Sequence, residues 1–153
     1  MTETWTTIGD AACAVLCSEQ AQDKAMLARR AVSEWRAGAL GFSFPQRPPL
    51  RPGRPQQPKL LPPSEMPRRR KAGNESNRRA LLHAIAHIEL NAIDLAFDIV
   101  ARFGAHMPRA FTDDWLSVGD DESRHFSMLN ERLENVDSYY GDLPAHDGLW
   151  QSA

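Results

Sequence analysis

Cysteine is scarce: Cys13 and Cys17 are all that the 153-residue chain contains. Four residues apart in a helical pattern, they are too few for a disulfide framework and wrongly spaced for a Cys-x-x-Cys redox motif. They read as reduced thiols rather than a two-thiolate metal clip, because a free cysteine commonly packs as a small apolar residue. Long apolar runs are missing as well. Nothing approaches the roughly 20 residues that span a bilayer, and the opening MTETWTTIGD has neither the basic start nor the apolar stretch of a signal peptide. A cytoplasmic protein with no membrane partner is the expectation. Alternating β-branched runs, hairpin turns and fixed-period repeats are also lacking, which excludes a sheet-based fold and leaves an all-α class.

An excess of charge of either sign is missing on average, since the net charge is -2 and gives no general drive towards nucleic acid. The distribution is uneven, however. Residues 47–79 hold ten of the eighteen Lys and Arg against Glu65 and Glu75, whereas residues 113–142 hold nine acids against Arg124 and Arg132. The basic segment permits contact with RNA, an anionic lipid or an acidic partner, although a run such as Arg68-Arg69-Arg70-Lys71 is more often a solvated face.

Three segments follow from the punctuation. In residues 1–40, apolar positions from Asp10 to Ala37 recur at mixed helical spacing, which predicts one helix or a helical pair stopped at Gly38. In residues 41–76, nine prolines fall between Pro45 and Pro67, so neither a helix nor a central strand persists there. This stretch either floats as a disordered linker or, the reading favoured here, lies extended along the domain in polyproline-like conformation, held by Leu60, Leu61 and Met66. In residues 77–153, neither Gly nor Pro interrupts Asn77 to Phe103, which predicts a long helix. Gly104 and Pro108 end it. A second helix, capped by Thr112 or Asp113, should run to about Tyr139 and pack antiparallel on the first.

On a 3.6-residue period Glu89 falls in the middle of the apolar stripe of the first long helix. Glu122 and His125 fall one turn apart on the stripe of the second. Burying such groups without partners costs several kcal/mol or more, and a pair of divalent metal ions is one answer. Ferritin-like bundles take a Glu from one helix and a Glu-x-x-His from the next, with the set repeated on two further helices. The competing reading is that Glu122 and His125 pair with each other or with Arg124 on a partly exposed face, while Glu89 joins a polar cluster. Small residues Ala86, Ala92 and Gly119 leave room near the three groups. His83 and His87 lie on another face, where His87 orients a neighbour or meets the basic segment. Asp94 and Asp98 read as a solvated or supporting face, and His146 is left undecided between a structural and a cleft role.

The segments PGRPQQPKLLPP, PRRRKAG, RRALLHAIAHIELNAIDLAFDIVARF, FTDDWLSVGDDESRHFSMLNERL and YYGDLPAHDGLW resemble, in order and spacing, the bacterial ferritin-like proteins known as domain of unknown function 455. The likeness covers roughly residues 52–150. It implies a ferritin-like half-bundle of two long antiparallel helices with an N-terminal helix and a Pro-rich extended segment. It also implies metal ligation by Glu89, Glu122 and His125, iron (as a di-iron centre) or manganese as cofactor, and oxygen or peroxide activation as the chemistry. Family members continue past AHDGLW through two more bundle helices that carry the other half of the ligands. The resemblance therefore implies a homodimer or a missing C-terminal half as partner, with a non-catalytic or inactive truncated protein as the alternative. Two amphipathic helices alone also leave an apolar stripe to be covered by self-association or by the residue 10–37 helix.

Overall fold

The computed structural model describes residues 3–68 and 73–152. Arg69, Arg70 and Lys71 of the basic run lie outside the described residues. The protein is mostly helical, with α1 at Ile8–Cys17, α2 at Ala21–Arg36, α3 at Glu75–Phe103, α4 at Arg109–Glu134 and a short α5 at Gly148–Gln151.

The first segment is a helical pair. Thr7 caps α1 by accepting from the Asp10 amide at 3.1 Å, and Asp10 complements the positive end of the helix. Ser18, in extended conformation, ends α1. Gly38 terminates α2 at φ 73°, a left-handed conformation that favours glycine, and its amide bonds back to the Trp35 carbonyl.

Asn74 starts α3, its side chain accepting from the Asn77 amide at 2.9 Å. A turn at Gly104–His106 leads into α4. That helix starts earlier than the capping residues suggest: Pro108 precedes its first residue, and Thr112 is buried inside it. It also ends before Tyr139, at Glu134. Asn135 closes it, and Asp137 turns the chain at φ 56° while the Ser138 amide returns to the Leu133 carbonyl. Early α3 meets the chain beyond α4, as in the 3.0 Å bond from the Gly141 amide to His83 Nε2. Late α3 meets early α4, where the Phe97 ring crowds Gly119. The two helices are therefore antiparallel.

α1 packs on α3 and α2 on α4, so the N-terminal pair covers one side of the hairpin. Between them lies a core that includes Ile8, Leu16, Leu90, Ile93, Phe97, Leu116, Phe126 and Leu133, all essentially inaccessible. Each such side chain contributes about 1.5–3 kcal/mol of transfer free energy. Trp35 Nε1 donates to Asp113 at 2.8 Å, and Arg36 reaches Asp120, fastening α2 to α4. The opposite side of the hairpin stays open, with Leu81, Ile88, Phe103 and Val118 exposed.

The proline-rich segment lies along this body, with Leu61 and Met66 half-buried as two of the three residues expected to hold it. Leu60 is 41% exposed, whereas Pro52 and Pro58 are buried. The Gly53 amide donates to the Leu16 carbonyl at 2.7 Å, and Arg102 donates to the Pro49 carbonyl at 2.6 Å. Pro has no amide to donate, so polar anchoring falls to Gly53, to carbonyls and to arginines. Further on, Leu60–Leu61 (β1) pairs in parallel with Ala145–His146 (β2), a two-residue ladder that an all-α reading omits. No helix among the described residues is long and apolar enough to cross a membrane.

Candidate metal centre

Glu89 projects from the middle of α3, and Glu122 and His125 from consecutive turns of α4. One ligand atom from each lies within 4.8 Å of the other two, the one such group of three or more His, Cys, Asp and Glu among the described residues. His125 Nδ1 is 3.1 Å from Glu122 Oε2 and 3.7 Å from Glu89 Oε2. Exposure rises across the cluster, with side-chain values of 19% for Glu89, 24% for Glu122 and 49% for His125. The cluster stands at the seam of the hairpin on the open side, away from α1 and α2.

The two carboxyls shape one another. Burial pushes Glu89 up to about 7, with the neighbouring Glu122 carboxyl adding to the rise through hydrogen bonding and repulsion, while His125 opposes it. A carboxylate that is half removed from water beside another carboxylate lacks positive charge. A divalent cation would supply that charge, since two carboxylates with an imidazole form a donor set of the kind that iron and manganese accept. Gly119 does not enlarge this site. An added Cβ there would come within 2.7 Å of the Phe97 ring, so the glycine makes room for an aromatic side chain in the core. Ala86 is likewise core.

His83 and His87 lie elsewhere, buried against the segment that follows α4. The His146 carbonyl can only accept, so His87 Nε2, 2.7 Å away, carries the proton. His87 Nδ1 then accepts from the Tyr140 hydroxyl at 2.8 Å. Burial lowers His87 to about 4. This histidine is a neutral clamp that holds the β2 segment on α3.

Asp94 and Asp98 are not a solvated face. Asp98 is buried and accepts from Arg102 at 2.8 Å, and Asp94 is completely buried. Asp94 pairs with Lys24, itself 1% exposed, and with Arg54 at 3.2 Å. Arg54 also donates to Asn91 at 2.7 Å. Lys24 Nζ has three acceptors: Asp94, the Gly53 carbonyl at 3.0 Å and the Leu16 carbonyl at 3.3 Å. Three acceptors match the three donors of an ammonium group. Burial lowers Lys24 and raises Asp94, and their mutual attraction opposes both shifts. This cluster ties α1, α2, α3 and the proline-rich arm together. The signal for it is that Lys24 sits among Ala21, Ala25 and Ala28, and Asp94 among Leu90, Phe97 and Ala101, each a charge inside an apolar stripe.

These features define a mostly helical protein whose central hairpin presents a carboxylate–imidazole cluster on its open side. The chain belongs to the family described as "Protein of unknown function (DUF455)", which matches residues 17–153. It is also 46% identical over 105 residues to an uncharacterized protein of Haemophilus influenzae, an alignment covering 65% of this chain and 36% of that relative. The chain thus spans little more than a third of the length of this curated relative. No solved structure matches.

Proposed function

We propose that Glu89, Glu122 and His125 are half of the ligand set of a carboxylate-bridged dinuclear iron or manganese centre in a ferritin-like bundle. The proposed activity is that of an oxidoreductase acting on oxygen or peroxide. The observation that carries the reading is the convergence of three ligand atoms from two facing helices within 4.8 Å, one carboxyl being raised by burial and further by its neighbour. The arrangement agrees with the Glu plus Glu-x-x-His pattern of di-metal bundles. When bound, the metal supplies redox capacity and Lewis acidity. The chain's own residues supply charge, orientation and partial exclusion of water. Glu89, the least exposed of the three, anchors the inner side, and His125 offers a nitrogen from the solvent edge. A second set of ligands would come from a second copy or from further bundle helices in a longer chain, for which the greater length of the Haemophilus influenzae relative leaves room.

The test is reconstitution with Fe(II) or Mn(II) under low oxygen, with metal content and mass by light scattering read together. The expected result is about one metal per chain, lost in Glu122→Ala while helical circular dichroism is kept. Equal metal content in wild type and Glu122→Ala would remove the basis for the site.

The exposed apolar side chains Leu81, Ile88, Phe103 and Val118 favour a second reading, in which the hairpin is a non-catalytic metal-binding or partner-binding surface. Partner binding unchanged in Glu122→Ala and His125→Ala, with no redox turnover in the metal-loaded protein, selects that reading.

A further inference from the structure

A cavity of about 630 Å³ opens between the N-terminal half of α3, the Pro63–Pro67 turn and the segment running from Ser138 to α5. It lies on the His83 side of α3, apart from the Glu89 cluster. Its volume is within the roughly 300–1,000 Å³ range of small-molecule sites. Apolar groups dominate the walls, among them Met66, Ala80, Ala84, Leu143, Pro144 and Leu149.

His83 lines this cavity, and its hydrogen bonding determines what it offers. The Gly141 amide can only donate, so His83 Nε2, 3.0 Å away, must accept. Burial lowers the basicity of the ring, with Asp142 opposing, so the ring stays neutral and its single proton is on Nδ1. Tyr140 stacks on the ring, centroids 5.2 Å apart, and fixes its plane. Nδ1–H makes no hydrogen bond to any described residue, and it is not among the fully enclosed unpartnered atoms. It is therefore a donor at the cavity wall, held by an otherwise buried side chain.

The two charged groups of the lining are already engaged. Arg79 donates to the Val136 carbonyl at 2.6 Å and to Glu75 at 3.1 Å, and Asp142 accepts from Ser138 at 2.8 Å. Their charges are opposite, so the lining has no net sign with which to select an ion. What remains is a mainly apolar chamber in which His83 Nδ1–H is a pre-oriented neutral donor, with the Ser76 hydroxyl and the enclosed, unpartnered His146 Nδ1 also in the lining.

We propose that this cavity binds an uncharged, mainly apolar small molecule carrying an acceptor oxygen, a ring ketone or similar carbonyl compound, whose oxygen is received by His83 Nδ1–H. A site built to donate to an acceptor discriminates against analogues that lack one, because the buried donor would otherwise stay unpaired.

The experiment is a fluorescence titration of the full chain with 6-propionyl-2-(dimethylamino)naphthalene, an uncharged bicyclic ketone whose emission shifts to the blue in an apolar environment. Saturable 1:1 binding with blue-shifted emission is expected. Ala84→Trp, which fills the chamber from a half-exposed helix position, should weaken binding at least tenfold. Val118→Asp, on the open side of the hairpin, should leave it unchanged. Wild-type protein labelled with ¹⁵N at histidine should show a perturbed His83 Nδ1 resonance on adding the ketone, which tests the donor without a variant that could misfold. His83→Phe, where it folds, should reproduce the loss. Binding abolished by Val118→Asp but retained in Ala84→Trp would overturn the proposal, as would an unperturbed Nδ1 resonance or no saturable binding. Equal or tighter binding of 1-naphthoate would overturn the choice of an uncharged ligand.

Discussion

Lys24 on α2 and Asp94 on α3 form an ion pair from which water is almost entirely excluded. Arg54 of the proline-rich arm adds a second cation to the same carboxylate at 3.2 Å. Removing one member leaves a buried charge with incomplete compensation. Asp94→Ala and Lys24→Met are each expected to lower the free energy of unfolding by about 3–5 kcal/mol. Urea denaturation followed by circular dichroism measures this. A loss below about 1 kcal/mol, the scale of exposed pairs, would mean that water reaches the cluster.

Arg54 also gives the arm a testable anchor. Arg54→Ala removes the contacts to Asn91 and Asp94, and loosening of the arm should expose nearby backbone to protease. Cleavage after Lys59, which Leu60 follows, is expected to become severalfold faster, read by mass spectrometry of limited trypsin digests, while α3 and α4 remain intact.

The neutral His87 clamp makes stability depend on pH. In the unfolded chain this group takes up a proton near 6.5, but burial delays uptake in the folded protein to about 4. The unfolded state therefore binds more protons between those values. Its contribution is fully present above about pH 6.5, is lost as pH falls towards 4, and changes no further below that. The interval corresponds to about 3 kcal/mol at most. His83, lowered in the same direction, adds slope in the acid range. Unfolding free energies at several pH values should rise from pH 4 to 6.5, and His87→Gln should flatten the rise without abolishing it. An unchanged profile in His87→Gln would assign the slope to other groups.

Gly119 tests packing apart from charge. An added Cβ would meet the Phe97 ring at 2.7 Å, so Gly119→Ala should destabilise by about 1–3 kcal/mol despite the better helix propensity of alanine. Phe97→Leu in the same chain should recover part of the loss by yielding space. Thermal unfolding of the single and double variants measures both effects. A stabilised Gly119→Ala protein would show that the ring shifts at no cost.

Much of the hairpin was legible in the sequence because its signals are local. An uninterrupted helical stretch ended by Gly104 and Pro108 gave α3, and the 3.6-residue period brought Glu89, Glu122 and His125 towards one seam. Period alone could not say which side of each helix is covered. The periodicity places the stripe containing Glu89 inward, yet its members Ile85, Ala92 and Ile99 are half-buried and Phe103 is exposed, because α1 and α2 pack on the other side. Asp94, which its local pattern places on a solvated or supporting face, is buried. Its partners Lys24 and Arg54 are 70 and 40 positions away along the chain, and no local pattern carries that pairing. The end of α4 was set by the left-handed turn at Asp137, which an aspartate tolerates but does not announce as a glycine would.

The parallel pairing of Leu60–Leu61 with Ala145–His146 bears on how the polypeptide matures during synthesis. The first strand emerges 85 residues before its partner (60 to 145), an interval of roughly 4–17 s at ribosomal speeds of about 5–20 residues per second. Throughout that delay the arm can gain its contacts to Leu16 and Lys24, but β1 has no edge to join. The last docking step therefore waits until the segment beyond α4 has left the ribosome, and a nascent chain stalled before residue 145 would keep this part of the arm accessible to chaperones.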